Sequence, residues 1–103
     1  MEDLYAKFLP QFVTLARSRV AVAITVATQH DQAATTTIVR ELHTLAGEAG
    51  LLGLGAVVPL ARDCEAKAKA LHKSRDAADA EQLVAALRQL EQVIDGIAAP
   101  AAP

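Results

Sequence analysis

The sequence is poor in cysteine and in aromatic residues: it has one cysteine, no tryptophan and three aromatic rings in 103 residues. The lone cysteine, Cys64, can form neither an internal disulfide nor a zinc site built from cysteines, so we expect a reducing compartment, the cytoplasm. The three rings all lie near the N-terminus, at Tyr5, Phe8 and Phe12. They provide no extended platform on which nucleic-acid bases could stack.

A strong charge of either sign and a long hydrophobic run are also missing. The ten Lys and Arg residues are scattered and the net charge is -2, so no basic stripe is available for nucleic acid. The longest uncharged stretch, residues 49–61, is well short of the roughly 20 apolar residues of a membrane span. The chain starts with the acidic Met1-Glu2-Asp3 instead of a basic signal-peptide head. We therefore expect no partnership with nucleic acid or membrane.

Hydrophobic residues make up 52% of the chain, which is enough to build one core. Pro, Gly and Asp residues, which break or cap helices, separate stretches in which apolar residues recur at helical spacing. We predict one domain over residues 1–98 and a frayed Ala/Pro tail over 99–103. The fold class is all-α: an up-and-down antiparallel four-helix bundle preceded by a short N-terminal helical segment. The predicted segments are the short one at 4–9 and helices at 10–29, 32–52, 56–73 and 77–97.

Some boundaries depend on single residues. Pro10 suits the first turn of a helix, and Asp31 and Asp76 are good N-cap residues for the second and fourth helices. Residues 20–26 alternate and are β-branched, so a strand remains the alternative there.

Common catalytic motifs are absent from the sequence. It contains no GxxxxGK phosphate loop, no HExxH zinc motif and no GxSxG nucleophile motif. The glycines at 47, 50, 53 and 55 do not follow a predicted strand, as a dinucleotide-binding turn requires. The remaining candidate for chemistry is one face of the helix at 32–52.

That face carries an exposed histidine beside small residues. At about 100° per residue, His43 points about 140° away from the apolar stripe, Gly47 about 180°, Gly50 about 120° and Ala46 about 80°. A glycine within a helix costs about 1 kcal/mol relative to alanine, so these glycines need a compensating role. A smooth surface beside an exposed imidazole predicts a docking face, where the backbone of another protein approaches closely.

The next helix, which returns antiparallel, contributes charged residues at the same level. Counting back from the loop at 53–55 places Glu65 level with His43, so Glu65 joins Ala46, Gly47 and Gly50 in the predicted docking face. Arg62, Glu65 and Lys69 share the exposed side, and Glu65 lies four residues before Lys69, the favourable order for an ion pair. Lys69 or Arg62 could reach a negative group held on His43. The alternative is that Glu65 and Lys69 are an ordinary solvated ion pair with no contact to a phosphoryl group.

The segment from His43 to Gly53, HTLAGEAGLLG, resembles the signature of histidine-containing phosphotransfer (HPt) domains. His43, Leu45, Gly47, Ala49 and Gly53 match the positions of that signature. Cys64-Glu65 also falls where the family usually has Leu-Glu, so the resemblance covers roughly residues 38–71. The signature usually has lysine where this chain has Ala46, and Lys69 is the candidate to replace that charge.

The resemblance implies that His43 accepts a phosphoryl group from the phospho-aspartate of one receiver domain and passes it to another. The protein would then be a phosphoryl carrier and not an enzyme with an ATP site. It would need no cofactor or metal, because Mg²⁺ belongs to the partner receiver domain. The implied partners are response regulator receivers and possibly a hybrid histidine kinase, and we expect a monomer.

Two alternatives remain open. The first is a docking module that binds receivers or kinases without phosphotransfer, which the alanine at position 46 favours. The second is a histidine kinase dimerisation domain, but these domains typically have an acidic residue after the histidine, where this chain has Thr44.

Overall fold

The computed structural model of the protein describes residues 2–29 and 32–98. Four α-helices follow one another: α1 (Glu2–Gln29), α2 (Gln32–Leu51), α3 (Val57–Ser74) and α4 (Ala77–Ala98). They pack as an all-α four-helix bundle, which confirms the predicted fold class. The predicted tail at 99–103 and the predicted cap Asp31 lie outside the described residues.

The N-terminal part of the chain differs from the prediction. Instead of a short segment followed by a helix that starts at Pro10, one helix of 28 residues runs from Glu2 to Gln29, with Pro10 inside it. A proline removes one hydrogen bond of the helical ladder, and apolar residues continue at helical spacing on both sides of it. The separate N-terminal segment was therefore a wrong prediction.

The strand alternative for residues 20–26 is also excluded, because these residues are helical in α1. Val20, Ala23 and Ala27 are buried at a spacing of three and four residues, which places all three on one face of the helix. Burial of this stripe outweighs the local preference of β-branched residues for a strand.

The core is aliphatic and follows the predicted stripes of all four helices. On the first helix, the helical spacing of apolar residues predicts that one broad face is buried, namely Phe8, Phe12, Leu15, Ala16, Val20, Ala23 and Ala27. Phe8 and Leu15 are exceptions, since both are exposed. Cys64 is fully buried, and burial raises the pKa of its thiol to about 12, as expected for a core residue without redox chemistry. The largest fully buried side chains are Leu42, Leu45, Leu83, Leu87, Leu90, Ile94, Val20 and Val57.

The turn between α2 and α3 fixes how these two helices face each other. Gly53 adopts the left-handed conformation, with φ of 70°. The Leu54 amide donates to the Ala49 carbonyl at 2.9 Å, and the Gly53 amide donates to the Gly50 carbonyl at 3.2 Å. This is a Schellman-type end to α2, in which glycine carries no steric penalty. α3 returns directly alongside α2.

The turn between α3 and α4 also follows local rules. Arg75 ends α3 in the left-handed conformation and its amide donates to the Leu71 carbonyl at 2.9 Å. The Ala78 amide donates to Asp76 Oδ1 at 3.1 Å, which confirms Asp76 as the cap of α4. Over residues 2–29 and 32–98, no helix has the length and apolar character needed to cross a bilayer.

Candidate functional site

His43 lies near the middle of α2 on the surface of the bundle. Leu42 and Leu45 on either side are buried, which turns His43 outward, and its side chain is 77% exposed. The imidazole is therefore accessible from outside the core, as a group-transfer reaction with another protein requires.

Glu65 of α3 holds one edge of the His43 ring. The Nδ1 atom of His43 lies 3.3 Å from Glu65 Oε2, so the two helices bring these residues level, as counted from the loop. The Glu65 side chain is only 14% exposed, so its carboxylate is more shielded from water than most surface carboxylates. An ionised carboxylate can only accept hydrogen bonds, so this contact places a proton on Nδ1, and in the neutral ring Nε2 then carries the lone pair.

Lys69 shares the same carboxylate oxygen. Its Nζ lies 3.3 Å from Glu65 Oε2, one helical turn further along α3. The structure therefore joins His43, Glu65 and Lys69 through a single oxygen atom. Arg62 is exposed on α3 and forms no ion pair with any residue that the structure describes.

The two glycines of the predicted docking face are exposed on α2. A Cβ atom added at Gly47 or Gly50 would have nothing within 4 Å, so neither glycine is needed for helix packing. Ala46 does not belong to this face, because it is 3% exposed and is part of the core. Ala46 lies on α2 between the apolar stripe and His43. Because α3 packs against this side of α2, Ala46 is buried in the bundle.

An apolar groove between α1 and α2, which the sequence did not predict, lies next to the glycine surface. Phe8 and Leu15 of α1 line it together with Leu51 of α2. Leu51, which is 89% exposed, lies four residues after Gly47 and eight after His43, along one ridge of α2. Phe8, Leu15 and the exposed Val22 recur every seven residues, and this spacing could have indicated an apolar ridge on one side of α1.

Arg19 lies beside this groove, in a neighbouring pocket between α1 and α2 that Leu15 also lines, and the sequence did not predict its role. From α1, its Nε lies 3.2 Å from Glu41 Oε2, and its guanidinium also binds Glu48. Both glutamates belong to α2, so one side chain ties the two helices together. No local pattern predicts a pair this distant in sequence.

The site provides no metal centre within the described part of the chain. Across residues 2–29 and 32–98, no three His, Cys, Asp or Glu side chains converge as metal ligands would. The charged and titratable groups at the site are the imidazole, its carboxylate partner and the nearby Lys69.

The Hpt domain family model matches residues 7–99, which include every residue of this site. The chain belongs to the Hpt domain family. This confirms the resemblance seen in the sequence and assigns the protein to phosphotransfer in two-component signalling, as a phosphoryl-carrier module that interacts with receiver domains. Neither the curated proteins nor the solved structures give a match to this chain.

Proposed function

We propose that this Hpt domain is the histidine phosphotransfer protein of a multistep phosphorelay. His43 accepts a phosphoryl group from the phospho-aspartate of one receiver domain and passes it to the aspartate of another. The observation that carries this proposal is the exposed His43 ring, held at Nδ1 by Glu65 and open at Nε2.

The geometry favours Nε2 as the atom that reacts. The Nε2 lone pair forms the new N–P bond while the P–O bond to the aspartate oxygen breaks. The electron pair of the broken bond stays on the aspartate, which becomes a carboxylate. The ring keeps the proton on Nδ1 and becomes a cation, and the reverse step delivers the phosphoryl group to the next receiver.

Glu65 supports this step through charge. Its carboxylate accepts the Nδ1 proton in a hydrogen bond and offsets the positive charge that the ring acquires. We expect Glu65→Gln to slow transfer by about tenfold, since the amide keeps a hydrogen bond but loses the charge. Unchanged transfer in this variant would remove Glu65 from the mechanism.

Lys69 and Arg62 are the α3 cations that we propose as charge support. Lys69 already contacts Glu65, so it offsets part of the negative charge of that carboxylate and makes the local potential more positive. Lys69→Ala should change both the transfer rate and the lifetime of the phosphohistidine. Arg62, which has no ion pair within the described residues, is able to turn toward the partner.

The docking face comprises Gly47, Gly50 and Leu51 and extends into the groove beside Phe8 and Leu15. We assign the receiver domain as the partner that binds this face, because the receiver must bring its aspartate to Nε2 and the face begins at His43. The glycines let the backbone of the receiver approach, and the exposed apolar side chains offer it area to bury. Mg²⁺ belongs to the receiver in this arrangement.

The test is phosphotransfer from a receiver charged with acetyl phosphate and Mg²⁺ to the full chain. Acid-labile, base-stable phosphate should appear on the wild type and on His72→Gln, and should be absent from His43→Gln. His72 is the matched control, since it is an exposed histidine on α3. Binding of several receivers without any label would instead establish the docking-only module.

A further inference from the structure

A phosphoryl group on His43 brings about two negative charges to an exposed surface, and a cation on the Nε2 side of the ring would offset them. Lys69 lies on the other side, because its Nζ and the Nδ1 atom of His43 contact the same Glu65 oxygen. The cation nearest the phosphoryl oxygens has to come from a different position.

The direction of Nε2 follows from the contact with α3. Viewed down the axis of α2, the direction of Ala46 is rotated about 60° from that of His43, and the direction of Arg40 is rotated about 60° the opposite way. Ala46 is buried, whereas Arg40 is exposed. Since Nδ1 is turned toward Glu65 on α3, Nε2 is turned away from α3, toward the side that carries Arg40.

Arg40 is also close enough and free to bind. It is the only Lys or Arg in α2 and precedes His43 by three residues, a spacing at which Cβ atoms are about 5–6 Å apart. It forms no ion pair with any residue that the structure describes, and the positions three and four residues from it are His43 and threonines. The two α2 carboxylates, Glu41 and Glu48, are both engaged by Arg19.

We propose that Arg40 binds the phosphoryl oxygens of Nε2-phosphorylated His43 and supplies the cation that stabilises the phosphorylated state. The inference rests on the proposed phosphorylation of His43 and adds a residue that acts on the transferred group itself. A guanidinium presents several donors in a fixed plane, which suits phosphoryl oxygens better than a single ammonium group does.

The test uses phosphoramidate, a small phosphoryl donor, so that it does not depend on any receiver. The Nε2 lone pair forms the N–P bond as the P–N bond of phosphoramidate breaks, and ammonia leaves with the electron pair. The full chain is compared as wild type, Arg40→Gln, Arg40→Lys and Arg88→Gln by ³¹P NMR across pH. Arg88, an exposed arginine on α4, is the matched control.

In Arg40→Gln, the midpoint of the phosphoryl titration should move to higher pH by roughly half a pH unit, and labelling should slow by about threefold. Arg40→Lys should fall between this variant and the wild type, and Arg88→Gln should match the wild type. The difference should shrink at high salt, because the contact is exposed.

A titration midpoint in Arg40→Gln equal to that in Arg88→Gln would overturn the role of Arg40. If phosphoramidate labels His43 with the expected shift but no charged receiver does, Arg40 keeps its role and the relay function fails. If neither reagent labels His43, both proposals fail.

Discussion

The two flanks of α2 differ in how they meet their neighbouring helices. On the α3 flank, Ala46 is buried and the buried face of α3 includes the small residues Ala61, Cys64 and Ala68. Small residues let helices approach closely, and His43 meets Glu65 across this flank. His43 and Glu65 therefore meet on the flank where α2 packs most closely against its neighbour.

On the α1 flank, large apolar side chains remain in contact with solvent. Leu15 and Leu51 line an open groove, and Arg19 ties α1 to α2 beside it by binding two glutamates of α2. Exposed apolar area of this kind suits reversible association with a partner. In our proposal, one flank of α2 holds the reactive histidine and the other offers a docking surface.

The largest expected effect is on stability, and it separates a buried from an exposed leucine of α2. Leu45→Ala should lower the free energy of unfolding by about 2–5 kcal/mol, because it leaves a cavity beside fully buried neighbours. Leu51→Ala should change it by no more than about 0.5 kcal/mol, yet weaken receiver binding. Urea unfolding and a binding titration measure the two effects. A Leu51→Ala variant that binds a receiver normally would remove the groove from the docking face.

Gly47 tests whether the smooth surface serves a partner. Gly47→Ala should raise the free energy of unfolding by about 1 kcal/mol, since the added Cβ meets nothing in the fold. Gly47→Gln should reduce transfer from a receiver by at least about tenfold, equivalent to about 1.4 kcal/mol, while phosphoramidate labelling stays normal. If both routes of labelling slow equally, the glycine supports His43 and not docking.

Substitution of Arg19 tests whether its ion pairs hold α1 and α2 together on the open flank. Arg19→Met should lower the free energy of unfolding by about 0.5–1 kcal/mol, because its two glutamate partners lose a partly buried cation. Arg17→Met, which breaks a more exposed pair with Asp95, is the control and should have almost no effect. Equal losses in the two variants would mean that Arg19 is an ordinary surface charge.

The sequence predicted the features that depend on periodicity and short spacing. The four helices, the Asp76 cap and the level of Glu65 with His43 all follow from local rules and from counting along an antiparallel pair. These rules placed His43, Gly47 and Gly50 on the exposed face of α2, as the structure shows.

The features it missed depend on how helices rotate against each other. Ala46 lies at the border of the apolar stripe, and only the packing of α3 decides that it is buried. Leu15 lies within the α1 stripe, yet α1 is turned so that Leu15 lines the groove. Pro10 is a local signal for a helix start, and the apolar pattern across it outweighed that signal.

The central claim is that Glu65 holds Nδ1 of His43 and leaves Nε2 to carry the phosphoryl group. The most direct measurement is a long-range ¹H–¹⁵N NMR spectrum of the ¹⁵N-labelled chain after transfer from a charged receiver. The account predicts one phosphorylated histidine, His43, with phosphorus coupled to Nε2 and a proton on Nδ1. Phosphorus on Nδ1, or on a residue other than His43, would contradict it.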